Sequence, residues 1–126
     1  MSPSPIETRF SEPRALAYTH EWIAAWNAHD LDRIMGHYGE PLDFTSPLVR
    51  ERYPQSDGTI RDLVTLRAYF GAGLASAPTL SFTLLEVLRS VGGFVMLYVN
   101  ARGGHTAEYV ELNAHAKATR VIACYA

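Results

Sequence analysis

The chain has 126 residues, of which 48% are hydrophobic and 19% charged, with a formal net charge of −2. That size and balance fit one globular domain around one core. They exclude the basic footprint of a nucleic-acid binder, and no apolar run is long enough to span a bilayer. The single cysteine, Cys124, leaves no internal disulfide and no cysteine metal cluster, and is expected to be a strand residue packed at a core or at an interface in a cytoplasmic protein.

Residues 1–10 carry Ser and Pro without an apolar segment, so they read as a flexible arm and not as a signal peptide. The domain is expected over 11–126. Ser11-Glu12-Pro13 has the residues of a helix start. The helix that follows places Trp22 and Trp26 four apart on one face and ends near Ala28-His29. Asp30 is expected to cap a shorter helix, Leu31 to Tyr38, stopped by Gly39-Glu40-Pro41. Leu42, Phe44, Ser46 and Leu48 alternate with polar residues and Pro47, which predicts a short strand with Pro47 at an edge or end. Arg50 to Gly58 reads as a loop. Thr59 to Asp62 has the form of a capping box and opens a third helix bearing Leu63, Leu66, Phe70 and Leu74, ended by Ala77-Pro78.

Beyond Pro78 the period changes to two. Runs from Leu80, from Phe94 to Asn100, from His105 to Leu112 and from Thr119 to Tyr125 are separated by Gly92-Gly93, Gly103-Gly104 and Asn113 to Ala116. They predict an antiparallel meander. Helices first and strands last make a segregated α+β fold.

On the run from Thr106, the set Thr106, Glu108, Val110 and Leu112 is the more apolar and is expected to face the helices. Glu108 is then a carboxylate on the core side, where burial raises its pKa and fits it for acid–base work. The alternative is that it reaches solvent or pairs with Arg102 or Arg120. Ser46 interrupts an apolar face in the same way. It either hydrogen-bonds a ligand or bonds backbone nearby. Glu86 reads as a solvated strand-end residue. Trp22, Trp26, Tyr38, Tyr69, Phe70, Phe82, Tyr98 and Tyr125 form an aromatic interior that is mostly packing, with Tyr38 the foremost candidate for a hydrogen bond to a ligand. The five histidines have no ligand spacing, although His105 starts a strand near a pocket mouth. With no P-loop, Rossmann or nucleophile-elbow motif either, no metal or cofactor is expected.

Trp26-Asn27-Ala28-His29-Asp30-Leu31-Asp32 resembles the W-N-x-x-D-x-D link between the first two helices of nuclear transport factor 2-like proteins, in the SnoaL-like and ketosteroid-isomerase-like branch. His37-Tyr38 followed by Asp43 to Pro47 is similar to the next step of that family. Leu66 to Phe70 is similar to its third helix, and Glu108 to Leu112 with Arg120 to Tyr125 to its final hairpin. The resemblance implies a cone-shaped, cystatin-like α+β fold. Three N-terminal helices pack on a strongly curved, mostly antiparallel sheet around a pocket, with homodimers formed through the outer sheet face.

It also implies what is missing. Ser46 stands where steroid isomerases of this fold carry their carboxylate base, and Trp22 stands in place of their first-helix Tyr. Glu108 stands for their strand carboxylic acid. The paired acids of limonene-epoxide hydrolases and the histidines of scytalone dehydratases are not visible. The resemblance therefore points to a pocket for a small hydrophobic molecule, with no nucleic acid or membrane as partner. If catalytic, it would be a cofactor-independent isomerase, cyclase or hydrolase. Glu108 and Tyr38 would be its catalytic residues, and Trp22, Trp26, Ser46, Phe70 and Tyr98 would hold the substrate. A non-catalytic binding protein and a dimeric interaction module are the rivals, because one fold hosts many functions.

Overall fold

A computed structural model describes residues 12–126; the expected arm over 1–10 lies outside them. Helix α1, Glu12–Asn27, buries Ala15, Tyr18, Thr19, Trp22, Ala25 and Trp26. These positions recur at intervals of three and four, the stripe that a 3.6-residue period lays against a core. Helix α2 spans Leu31–Met35 and is capped by Asp30, whose side chain accepts from the Arg33 amide.

The W-N-x-x-D-x-D segment holds the fold together. The Asn27 side chain donates to the Phe82 carbonyl at 3.0 Å and accepts from the Phe82 amide at 2.7 Å, tying the end of α1 to the approach of the third strand. Asp30 caps, and Asp32 pairs with Arg67 of a later helix at 2.6 Å. Asn27 and Asp32 thus join two elements each, Asp30 starts one, and none of the three lines the cavity.

Helix α2 stops at Met35, earlier than expected, and Tyr38 belongs to strand β1, Tyr38–Thr45. Gly39, Glu40 and Pro41 therefore lie inside a strand. The pairing of β1 with its parallel neighbour is irregular between Tyr38 and Asp43, where Pro41 has no N–H to give to the ladder. The alternation of Leu42, Phe44 and Ser46 holds, all three being buried. The chain then turns into helix α3, Pro47–Arg52, with Pro47 at its first position. That segment reads as strand end and loop in the sequence because its helix has only six residues, too few for a periodic signal. Thr59–Ile60 is the short strand β2 rather than a cap; Asp62 caps α4, Leu63–Ser76, through the Thr65 amide at 2.8 Å. Leu66 and Phe70 are its buried residues.

Strands β3, Thr83–Arg89, β4, Phe94–Val99, β5, His105–Leu112, and β6, Ala118–Tyr125, form the antiparallel meander. The six-stranded order is β2-β1-β6-β5-β4-β3, with only β1 and β6 parallel. Register shifts at Leu84/Glu86 and Glu111/Leu112 insert extra residues that increase local twist and bend the sheet around the helices. Gly93 permits the β4–β5 approach, since a Cβ there would stand 2.1 Å from the Val110 carbonyl oxygen. Gly103 holds φ +83° in the β4–β5 turn, a value that L-residues with a Cβ seldom adopt. No helix among the described residues is long and apolar enough to cross a membrane.

Candidate functional site

Alternate residues of β4 and β5 point to the concave face: Phe94, Met96 and Tyr98 from one strand, Thr106, Glu108 and Val110 from the other, all buried. Met96 lies opposite Glu108 in the ladder, so Tyr98, two residues on, is its diagonal neighbour. The Tyr98 hydroxyl donates to Glu108 Oε2. Glu108 is 4% exposed and Tyr98 2%. The first reading of Glu108, as a carboxylate on the core side, therefore matches its position. The alternative pairing does not occur: Arg120 pairs with Glu111, and Arg102 makes no ion pair among the described residues.

Glu108 and Tyr98 border a cavity of about 490 Å³. Its walls are aromatic: Trp22, Trp26, Phe44, Phe70, Phe82 and Tyr98. Trp22 stacks on Phe82 with centroids 5.6 Å apart at 17°, Trp26 meets Phe70 edge-on at 5.0 Å, and Phe82 lies 4.7 Å from Tyr98. Rings locked against one another lose little on ordering and keep the space open. The exposed side chains Glu51, Arg52 and Arg102 stand at the mouth.

Burial dominates the electrostatics. Removal from water raises the Glu108 carboxyl to about 7, and the hydrogen bond from Tyr98 offsets only part of that rise. Tyr98, Tyr38 and Tyr18 are pushed well above the ordinary phenol value, first by burial and then by neighbouring charge, so they remain neutral. Tyr69 is raised to about 12 by burial, partly offset by the Ser46 hydroxyl. Tyr125 is raised by burial and by the Glu108 charge. A carboxyl titrating near neutrality in an apolar cavity is an acid–base group at physiological pH. Among the described residues no group of His, Cys, Asp or Glu is arranged to hold a metal ion.

Of the expected site residues, Glu108, Trp22, Trp26, Phe70 and Tyr98 border this cavity. Tyr38 and Ser46 do not. Tyr38 lies behind the wall and its hydroxyl accepts from Trp22 Nε1 at 2.9 Å. The Ser46 oxygen accepts from the Leu48 amide at 3.2 Å, capping α3. His105 and Glu86 are exposed and outside the lining. The sequence reading places Tyr69, Phe82 and Tyr125 in the interior without singling them out. It passes over Arg52 altogether, since nothing local marks an exposed arginine as the rim of a cavity.

Tyr98→Phe is expected to lift the Glu108 pKa above 7, because the phenol hydrogen bond favours the carboxylate while the burial stays. A carboxyl ¹³C NMR titration reads this directly; an unchanged or lower value would mean that the bond does not hold the charge.

Helices on the concave face of a bent six-stranded sheet, closed over a cavity, make the curved-sheet α+β fold that the resemblance implies. The profile of the SnoaL-like domain matches residues 19–125, and the chain belongs to that family. No curated protein matches the chain significantly. Among solved structures, a SnoaL-like protein of unknown function from Burkholderia thailandensis is 29% identical, with a TM-score of 0.89, 98% of this chain and 99% of that one being covered. A protein described as a candidate ketosteroid isomerase, from Kribbella flavida, is 11% identical with a TM-score of 0.70, covering 94% of this chain and 82% of that one. A nuclear transport factor 2-like protein of unknown function from Cytophaga hutchinsonii is 10% identical with a TM-score of 0.67, covering 89% of each chain. The last two likenesses are of fold alone.

Proposed function

We propose that the cavity receives a small hydrophobic molecule bearing a carbonyl group and that Glu108 moves a proton on it. The observation that carries this reading is a nearly inaccessible carboxyl, bonded only by Tyr98 among the described residues, facing an aromatic cavity with a pKa near 7. As carboxylate, Glu108 takes a proton from the carbon beside the ligand carbonyl, and the C–H electron pair moves toward the carbonyl oxygen. As carboxylic acid it returns the proton, to the same carbon or to one further along a conjugated system. One carboxyl suffices for such a shuttle, which is isomerase chemistry, and it asks for no added cofactor. Trp22, Trp26 and Phe70 form the walls, and Tyr38 acts on the site only through Trp22. Ser46, which caps α3 and does not border the cavity, supplies Glu108 with no second acid–base partner.

The test is deuterium uptake from D₂O into a panel of hydrophobic cyclic ketones, followed by NMR. The native protein is expected to exchange at least one of them, with kcat/KM rising through about pH 7 as Glu108 ionises. Glu108→Gln should lower the rate by a factor on the order of 10² or more. Equal rates in the two proteins would remove Glu108 from the chemistry. The single carboxyl inside also favours a second reading, a binding protein without turnover, which predicts tight ketone binding and no exchange. A third reading, an interaction module whose pocket is filled by aromatic side chains, is disfavoured by the open volume of about 490 Å³.

A cytoplasmic homodimer is part of the same proposal. Val95, Leu97 and Val99 of β4 alternate with the buried residues, so they point to the convex face with Ile122 of β6, and Leu88 of β3 is 44% exposed beside Val95. An apolar sheet face of this kind suits a second copy. Sedimentation should give twice the 14.0 kDa chain mass and Leu97→Asp should give the monomer; a monomeric native protein would end the idea.

A further inference from the structure

The mouth of the cavity differs in kind from its interior. Among the described residues Arg33, Arg61, Arg67 and Arg120 all hold carboxylates, whereas Arg52 and Arg102 do not. Arg14, Arg50 and Arg89 are likewise without an ion pair among the described residues, but only Arg52 and Arg102 of these border the cavity, and they come from different elements. Arg52 ends helix α3. Arg102 sits in the β4–β5 turn, which the Asn100 side chain holds by accepting from the Arg102 and Gly104 amides at 3.0 and 3.2 Å. The Tyr125 phenol lies close enough for the Arg102 charge to act on it. Among the described residues Glu51 is the only carboxylate at the rim, so two positive charges and one negative leave a net charge of +1 there. A chain of net charge −2 thus keeps a local positive surplus at the entrance of an apolar space.

We infer that the ligand is an amphipathic acid: an apolar ring body seated among Trp22, Phe70 and Phe82, with a carboxylate that stays at the mouth against Arg52 and Arg102. A single negative charge matches the surplus, and the planar guanidinium fork matches a carboxylate. Leaving the charge at the rim also spares it the desolvation that acts on Glu108. The inference rests on the pocket reading above and adds the chemical class of the molecule.

Three probes of one skeleton test it: 2-naphthylacetate, its methyl ester and its amide, each titrated calorimetrically into the native protein at low and high salt. The acid is expected to bind at least tenfold more tightly than the amide at low salt, the scale of one charge-assisted hydrogen bond. That preference should shrink as salt screens the rim. In the double variant Arg52→Gln, Arg102→Gln the preference should vanish while ester and amide affinities stay as they were. Both positions are exposed, and matching circular dichroism and Tm would show that the variant folds. Equal binding of acid and amide, or an acid preference that survives in the double variant, overturns the inference and leaves the pocket reading standing. Failure of all three probes to bind overturns both.

Discussion

Glu108→Gln is expected to make the protein more stable above neutral pH and to change little below pH 5. In the folded chain burial raises the Glu108 carboxyl from its ordinary 4.5 to about 7. Between those values the folded state holds a proton that the unfolded state has released, so stability falls as pH rises. The favourable contribution of the neutral carboxyl is complete below about 4.5 and is lost as pH climbs through about 7. The separation corresponds to roughly 3 kcal/mol. Glutamine keeps the shape and the acceptor for the Tyr98 hydroxyl but never ionises. Urea unfolding of the two proteins at pH 5 and pH 8.5 isolates this group, because every other titration is common to both. A difference that is flat with pH would show that the carboxyl is not buried as described. The same substitution abolishes the proposed proton transfer, so stability at high pH and activity move in opposite directions, as expected where a buried charge is kept for its chemistry.

Trp22→Ala is expected to cost about 3–5 kcal/mol, a large share of the roughly 5–15 kcal/mol that holds a domain of this size. Trp22 is 1% exposed, stacks on Phe82, and lies within 6.0 Å of the Trp26 ring and 5.3 Å of Tyr98. Its loss enlarges an existing cavity that the neighbours cannot collapse, and it strips the Tyr38 hydroxyl of its 2.9 Å donor inside the core. Trp22→Phe helps to separate the two effects, because it keeps an aromatic ring in the wall while removing the N–H and part of the indole; its expected cost is about 1–3 kcal/mol. Guanidinium unfolding at neutral pH provides the measurement. A loss below about 1 kcal/mol for Trp22→Ala would mean that this wall is not packed against the sheet as described.

Trp26 presents a related feature. Its Nε1 is buried and has no hydrogen-bond partner among the described residues. Such a donor is uncommon in a folded interior and costs on the order of 1–3 kcal/mol. The ring borders the cavity and makes a T-shaped contact with Phe70.

Periodicity, capping residues and Gly turns determined most of the architecture. The α1 stripe, the Asp30 cap, the four meander strands and the inward face of Glu108 are local patterns that a chain obeys wherever it folds. Three things were decided only in the tertiary structure. Tyr38 left its helix because the segment pairs with β6, where the Ala118 amide donates to the His37 carbonyl at 2.7 Å, a contact 81 residues distant. Helix α3 formed because Ser46 and Pro47 start it and Val49 finds a fully buried place, although six residues are too few to announce a helix. The cavity itself belongs to no segment. Its walls come from α1, α4, β1, β4 and the segment leading into β3, its acid from β5 and its arginines from α3 and a turn. The buried strand carboxyl could be read from alternation along one strand, but the roles of Tyr38, Ser46 and the rim arginines depend on which elements meet, and that is set by sheet curvature and long-range packing.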